Sequence, residues 1–82
     1  MEITIYTTHT CPYCKMEKAY FDEKGVEYTN LFVDDDQSKA VEMMDKSGQL
    51  GVPFTVIKTD DGQEHTVLGF QKEKLNEILG LK

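Results

Sequence analysis

The sequence predicts an α/β fold with the element order β-α-β-α-β-β-α, in which three helices flank a four-stranded mixed sheet. Two observations support this order. Short, β-branched apolar runs alternate with helix-length segments in the first half of the chain, whereas the last two such runs are separated only by the turn Thr59–Gly62. A helical crossover, which is right-handed, makes the first two strands parallel, and a short turn makes the last two antiparallel.

The first strand and the first helix have clear signals. Ile3–Thr7 alternates apolar and polar residues and is rich in β-branched side chains, which is typical of a buried strand. Pro12 follows at a position where the first turn of a helix tolerates a missing N–H. We expect this helix to run to Lys24, because Gly25 readily adopts the left-handed conformation that ends helices.

The second strand is predicted from Val26 to Val33, but its alternation is imperfect. Val26 and Tyr28 share one parity, and Leu31 and Val33 share the other. Two interpretations fit this shift of phase. Either a bulge lies near Asn30, or the strand begins later than its first apolar residue.

The remaining elements follow in order. The acidic run Asp34–Asp36 suits the start of a second helix, since carboxylates cap free N–H groups there, and this helix should end near Gly48. Val52–Ile57 and Glu64–Leu68 are the two strands of the closing hairpin. Apolar residues at helical spacing then predict a last helix over Gln71–Leu79.

Composition and charge narrow the possible partners. The 82 residues carry a net charge of −6, and all nine basic residues are Lys. Without Arg the chain lacks the planar side chain that dominates base and phosphate recognition, so nucleic acids and anionic membranes are poor candidates. No apolar run approaches the roughly 18 residues of a membrane span. Met1–Ile5 lacks the basic start and apolar core of a secretory signal, so we expect one domain, 1–82, in the cytoplasm.

The chemistry is expected at Cys11-Pro12-Tyr13-Cys14, where the first helix begins. Stable disulfides are rare in the cytoplasm, and a bridge over this spacing closes too small a loop to stabilise the fold, so the cysteines indicate a chemical role. Free N–H groups and the helix dipole favour the thiolate of Cys11, which is the attacking species. Lys15 is expected to tune this thiol by adding positive charge. Cys14, one turn deeper, should keep its proton until it attacks a mixed disulfide.

A single C-x-x-C motif is also half of a zinc site. Zinc needs four ligands, and His9 and His65 lack the paired spacing of a closed structural site. The position of the motif after a strand and at a helix start favours redox chemistry instead. His9 has two interpretations: it tunes the thiolate, or, as we favour, it is an exposed loop residue.

The chain resembles the glutaredoxins, a branch of the thioredoxin-fold family. The resemblance rests on Cys11-Pro12-Tyr13-Cys14 after the first strand, on Val52-Pro53 and on Gly69 before the last helix, and it spans essentially the whole chain. It implies a thioredoxin-like fold and a thiol–disulfide oxidoreductase. Cys11 would attack substrate disulfides or glutathione mixed disulfides, and Cys14 would resolve them. It implies no tightly bound cofactor, with glutathione as a redox co-substrate.

The resemblance also implies a substrate groove. In the family the proline that matches Pro53 is cis, and the backbone of the preceding residue, here Val52, pairs with the substrate's cysteine like an added strand. Pro12 would hold the start of the helix, and Tyr13 would pack against the ligand. The groove is expected between three segments: Cys11–Tyr13, Val52–Pro53 and Gly69–Phe70.

One stretch departs from the glutathione-using pattern. Those proteins commonly carry Gly-Gly followed by an acidic pair, which hold the γ-glutamyl end of glutathione, but here Phe70 replaces the second Gly and Lys72 the first acid. A Gly-Phe pair looks more like the glutaredoxin-like redoxins that serve ribonucleotide reductase and are recharged by thioredoxin reductase. The Pro-Tyr pair between the cysteines is the glutathione-type choice. Both reductants therefore stay open.

The expected partners follow from this interpretation. They are disulfide-containing proteins as substrates, with glutathione and/or thioredoxin reductase as the source of electrons, and the protein itself is expected to be a monomer. A less favoured alternative is a dimer that holds an iron–sulfur cluster through Cys11 and glutathione. Pro12 disfavours it, because that use needs an accessible cysteine and usually a less constrained dipeptide between the cysteines.

Overall fold

The computed structural model describes residues 1–48 and 51–80. The elements occur in the predicted order and build a four-stranded mixed sheet with three helices, which confirms the predicted fold class. Their bounds are β1 (Glu2–Thr7), α1 (Pro12–Glu23), β2 (Thr29–Phe32), α2 (Gln37–Ser47), β3 (Phe54–Lys58), β4 (Glu64–Leu68) and α3 (Lys72–Leu79).

The sheet has the strand order β2-β1-β3-β4. β1 pairs in parallel with β2 and antiparallel with β3, and its residue Ile5 lies opposite Asn30 on one side and Thr55 on the other. β4 completes the sheet by antiparallel pairing with β3. Because Tyr6 near the end of β1 lies opposite Phe54 at the start of β3, the loops after β1 and before β3 leave the same end of the sheet.

Two apolar clusters cover the two faces of the sheet, since successive strand residues point to opposite sides. The first cluster lies under α1 and α3, and the second lies under α2. The buried members of the first cluster are Ile3, Ile5, Tyr20, Phe21, Ile57, Val67 and Leu75. The buried members of the second cluster are Tyr6, Met43, Phe54 and Val56.

The later start of β2 explains the imperfect alternation in the sequence. Val26 and Tyr28 precede the strand and pack against the first cluster, whereas Leu31 and Val33 pack against the second. The prediction of a strand from Val26 was therefore wrong at its beginning, because these side chains belong to the loop that closes over α1. β3 likewise begins after Val52-Pro53, since a proline has no N–H for a strand ladder.

The helix ends agree with their sequence signals. α1 and α2 are followed by glycines in the left-handed region, Gly25 at φ 70° and Gly48 at φ 76°. Asp36 caps α2 by accepting the Ser38 backbone N–H at 3.0 Å. Across the two described segments, no helix combines the length and apolar character that crossing a membrane requires.

Candidate functional site

Cys11 is the N-cap of α1. Its backbone is extended, with φ −84° and ψ 111°, and its Sγ accepts the Cys14 backbone N–H at 3.1 Å. Pro12 occupies the first turn of the helix, where its missing N–H removes no helical hydrogen bond. The Cys11 sulfur thus meets both an N–H donor and the positive end of the helix dipole, which favour negative charge on it.

Cys14 has the opposite environment. Its side chain is fully buried, whereas Cys11 is partly exposed, and both are free cysteines. Burial raises the pKa of the Cys14 thiol to about 12, and its hydrogen bond with Cys11 adds to the rise, while a hydrogen bond with the Thr8 backbone opposes it. Cys14 therefore keeps its proton at neutral pH, and Cys11 is the sulfur that a substrate can reach.

The segment before β3 faces the exposed sulfur. The Cys11 thiol donates to the Val52 carbonyl across 3.9 Å. The Val52–Pro53 peptide bond is cis, as the resemblance implies. The Gly69 N–H donates to the Pro53 carbonyl at 2.7 Å, and Gly69 has φ 78°, a conformation that favours glycine. Segments around Cys11, Val52 and Gly69, far apart in the sequence, thus meet at one end of the sheet.

The side chains expected to line the groove divide into two groups. Tyr13, two residues after Cys11, is 60% exposed. The Phe70 ring instead packs on Tyr20, with ring centroids 5.9 Å apart, and the Lys72 Nζ lies 5.0 Å from the centroid of the same Tyr20 ring. Phe70 and Lys72 therefore pack against α1, and a substrate-binding role for the Phe70 side chain stays a prediction.

His9 links two loops. Its ring stacks on Phe32 with centroids 3.9 Å apart, and its nitrogens lie 3.1 Å from Asp34 and 3.4 Å from Asp35. These contacts favour the interpretation of His9 as a loop residue. Lys15 is exposed, and its backbone N–H donates to the Cys11 carbonyl at 3.3 Å. Tuning of the thiol by the Lys15 ammonium stays a prediction.

The described residues include one group of potential metal ligands, and it does not contain the cysteines. The ligand atoms of His9, Asp34 and Asp35 lie within 4.8 Å of one another, on exposed side chains. Neither Cys11 nor Cys14 belongs to a group of three or more metal-ligating side chains among residues 1–48 and 51–80. In that part of the chain, the cysteines therefore have no third protein ligand for zinc.

Glu17 is a residue of this region that the sequence analysis missed. It follows Cys14 by three residues on α1 and is fully buried. The Thr55 hydroxyl donates to its Oε2 at 2.6 Å, and burial raises the pKa of the Glu17 carboxyl to about 7. A signal for it existed, because Cys14, Glu17 and Phe21 have the spacing of one helix face, and an acid on a predicted apolar face is unusual.

Comparisons with known proteins agree with this geometry. The Glutaredoxin family model matches residues 3–61, more than half of the chain. A glutaredoxin-like 8.6 kDa protein in the rubredoxin operon of Clostridium pasteurianum is 36% identical over 77 residues, which cover 94% of this chain and 96% of that protein. Glutaredoxin 3 of Escherichia coli strain K12 is 43% identical over 55 residues, or 67% of this chain and 66% of that one.

A solved structure extends the similarity to the three-dimensional fold. The glutaredoxin-like protein NrdH-redoxin from Escherichia coli superposes with a TM-score of 0.75 and 27% identity, and the match covers 95% of each chain. The family match, the relative of nearly equal length and the shared fold all indicate the same family. This chain belongs to the glutaredoxin family of thiol–disulfide redoxins.

Proposed function

We propose that the protein is a dithiol thiol–disulfide oxidoreductase of the glutaredoxin type. The observation that carries the proposal is the asymmetry between two sulfurs in one helical turn. Cys11 is partly exposed and accepts an N–H at the helix start, whereas Cys14 is buried and protonated. Cys11 is thus suited to attack a substrate disulfide, and Cys14 is suited to attack the mixed disulfide afterwards.

The exchange proceeds in two steps. The Cys11 thiolate attacks one sulfur of a substrate disulfide, a bond forms between Cys11 and that sulfur, and the other substrate sulfur leaves with the electron pair. Cys14 then attacks the Cys11 sulfur of the mixed disulfide. The substrate leaves reduced, and the protein is left with a Cys11–Cys14 disulfide.

The substrate would lie beside Val52. The Val52 carbonyl already accepts from the Cys11 thiol, and a backbone of this kind can pair with an extended peptide or with glutathione as an added strand does. The exposed Tyr13 ring offers an apolar surface beside the reactive sulfur, and the Gly69 segment borders Pro53. Backbone pairing supports a range of disulfide substrates, because it does not depend on their side chains.

The source of electrons is proposed to be glutathione. The Pro12-Tyr13 pair and the similarity to Glutaredoxin 3 support it. The second candidate is thioredoxin reductase, with ribonucleotide reductase as the recipient of the electrons. It is favoured by the Gly69-Phe70 pair and by the similarity to NrdH-redoxin, whose structure is described with a thioredoxin-like activity profile.

Two NADPH-coupled assays run side by side test the proposal. One contains glutathione, glutathione reductase and a glutathione mixed disulfide, and the other contains thioredoxin reductase and a protein disulfide. Cys11→Ser is the inactive control in both assays. Turnover in the first assay alone supports glutathione as the reductant, and turnover in the second alone supports thioredoxin reductase. Absence of turnover in both would overturn the proposed activity.

A further inference from the structure

We propose that Glu17 is the proton acceptor for Cys14 during resolution of the mixed disulfide, and the proton donor to Cys14 when the protein is reduced again. This inference rests on the proposed dithiol mechanism. It assigns a role to a buried carboxyl group that the attack by Cys11 does not use.

The first support is the position of Glu17. Residues three apart on a helix are neighbours on one face, and both Cys14 and Glu17 are fully buried on the face of α1 that covers the sheet. The charge of Glu17 is felt at Cys14, where it contributes to keeping that thiol protonated. The carboxyl group is thus close to the sulfur that must lose a proton.

The second support is an unpaired oxygen. Glu17 Oε2 accepts from the Thr55 hydroxyl, but Oε1 is buried and has no hydrogen-bond partner among the described residues. Leaving a buried polar atom unpaired costs free energy and calls for an explanation. An unpaired carboxylate oxygen can take up a proton without breaking the Thr55 hydrogen bond.

The third support is the charge balance around the pair. The ionisable groups that act on Cys14 are Cys11 and Glu17, while β3 contributes the uncharged Thr55 hydroxyl as the partner of Glu17. The ion pairs between described residues do not include Glu17. Moving a proton from Cys14 to Glu17 transfers one negative charge between two buried groups, so the charge of this buried pair does not change.

The resolving step then balances as follows. Cys14 attacks the Cys11 sulfur of the mixed disulfide, the Cys11–Cys14 bond forms, and the bond from Cys11 to the substrate sulfur breaks. The substrate thiolate leaves with the electron pair, and the Cys14 proton passes to the Glu17 carboxylate. In the mixed disulfide Cys11 is neutral, so its contribution to holding the Cys14 proton is gone. In the reverse direction a reductant thiolate attacks Cys11, and Cys14 leaves and takes the proton from the Glu17 carboxyl.

Stopped-flow reaction with the aromatic disulfide 5,5′-dithiobis(2-nitrobenzoate) separates the two steps. Attack by Cys11 releases one coloured thiolate, and resolution by Cys14 releases the second. In the wild type the second phase should rise with pH around the Glu17 pKa of about 7. Glu17→Gln keeps the shape of the side chain but cannot accept the proton. In this variant the second phase should be at least about tenfold slower at pH 8, and its rate should no longer rise with pH around 7. The matched control is Glu42→Gln, which should behave as the wild type. The Glu42 carboxylate also accepts a hydroxyl hydrogen bond, from Tyr6 at 2.7 Å.

The outcomes separate the two proposals. A missing first phase in the wild type would overturn the proposed exchange activity itself. A normal first phase with a second phase equally fast in Glu17→Gln would overturn the role of Glu17 alone. If Glu17→Gln does not fold, Thr55→Val is the second variant that tests the role of Glu17. Because the Thr55 hydrogen bond lowers the Glu17 pKa, this variant should move the midpoint of the second phase to higher pH, and an unmoved midpoint would also overturn the role.

Discussion

The helices α1 and α2 both begin with an extended N-cap residue, but the capping atoms differ. At each start an extended N-cap residue accepts a backbone N–H through its side chain: Cys11 accepts from Cys14 at 3.1 Å, and Asp36 accepts from Ser38 at 3.0 Å. Aspartate is among the preferred N-cap residues and is charged at neutral pH, whereas a neutral thiol is a weak acceptor. α1 therefore begins with the weaker structural cap.

The difference shows that a weaker cap stands at the helix start where the cysteine pair lies. The Ser38 hydroxyl and backbone hydrogen bonds lower the pKa of Asp36, so its carboxylate caps α2 over a wide pH range. At α1 the Cys14 backbone N–H and the helix dipole act on a sulfur that is partly exposed and lies 3.9 Å from the Val52 carbonyl oxygen. The interactions that stabilise the fold at one helix start favour a reacting thiolate at the other.

The largest effect is expected from replacing the capping sulfur. Cys11→Ser keeps a good N-cap but has no thiolate nucleophile, so all disulfide exchange should be lost while the unfolding midpoint in urea stays equal or rises slightly. Coupled NADPH turnover and urea unfolding measure the two quantities. Asp36→Ala is the control that keeps turnover. Residual turnover in Cys11→Ser would show that another group is the nucleophile.

Removing the second sulfur should separate two activities. Cys14→Ser should lower reduction of protein disulfides by at least about tenfold, because the resolving thiol then comes from solution instead of from the same helical turn. Exchange with glutathione mixed disulfides through Cys11 alone should persist. Mass spectrometry should find the substrate trapped on Cys11. Rapid reduction of protein disulfides without such an adduct would contradict the assignment of Cys14.

The carboxyl groups of the two helices predict opposite pH dependences of stability. The Glu17 pKa is raised from 4.5 to about 7, so its contribution is fully present below pH 4.5 and is lost as the pH rises through 7. The loss amounts to roughly 3 kcal/mol at about 1.36 kcal/mol per pKa unit. The Asp36 pKa is lowered from 3.8, so its contribution is lost as the pH falls below that value. Urea unfolding between pH 3 and 9 measures both trends.

The variant Glu17→Gln isolates the first of these trends. Its free energy of unfolding should change much less between pH 4.5 and 8 than that of the wild type, because its amide does not titrate. Asp36→Asn should leave the loss of stability between pH 4.5 and 8 in place, because that loss comes from Glu17. An equal pH dependence in wild type and Glu17→Gln would mean that this carboxyl titrates normally in the fold.

The smallest effect is expected at the cap of α2. Asp36→Ala removes the acceptor for the Ser38 N–H, so the Tm should fall by a few degrees without loss of exchange activity. Asp36→Ser is the matched variant, since Ser also caps helices, and it should recover most of the Tm. Loss of exchange activity in Asp36→Ala at a temperature where the variant is still folded would show that the α2 start also belongs to the site.

Local signals in the sequence were sufficient for much of the fold and for the placement of the cysteine pair. Gly25 and Gly48 follow the two helices that their sequences predict, and β4 has its predicted bounds Glu64–Leu68. The spacing of Cys11 and Cys14 at a helix start already indicated which sulfur is exposed. Each of these features depends on neighbours within one or two turns of chain, which the sequence displays directly.

The surroundings of the cysteines depended on tertiary structure. The strand order β2-β1-β3-β4 brings Val52 to Cys11 across 41 residues and Thr55 to Glu17 across 38 residues. Sequence periodicity predicts which face a residue occupies, but pairing between distant strands is set by register and by the competition of whole apolar surfaces for burial. The same competition packs the Phe70 ring on Tyr20, and it buries the carboxyl of Glu17. The sequence by itself thus determined that two sulfurs lie in the first turn of α1, and the packing of the sheet decided which groups surround them.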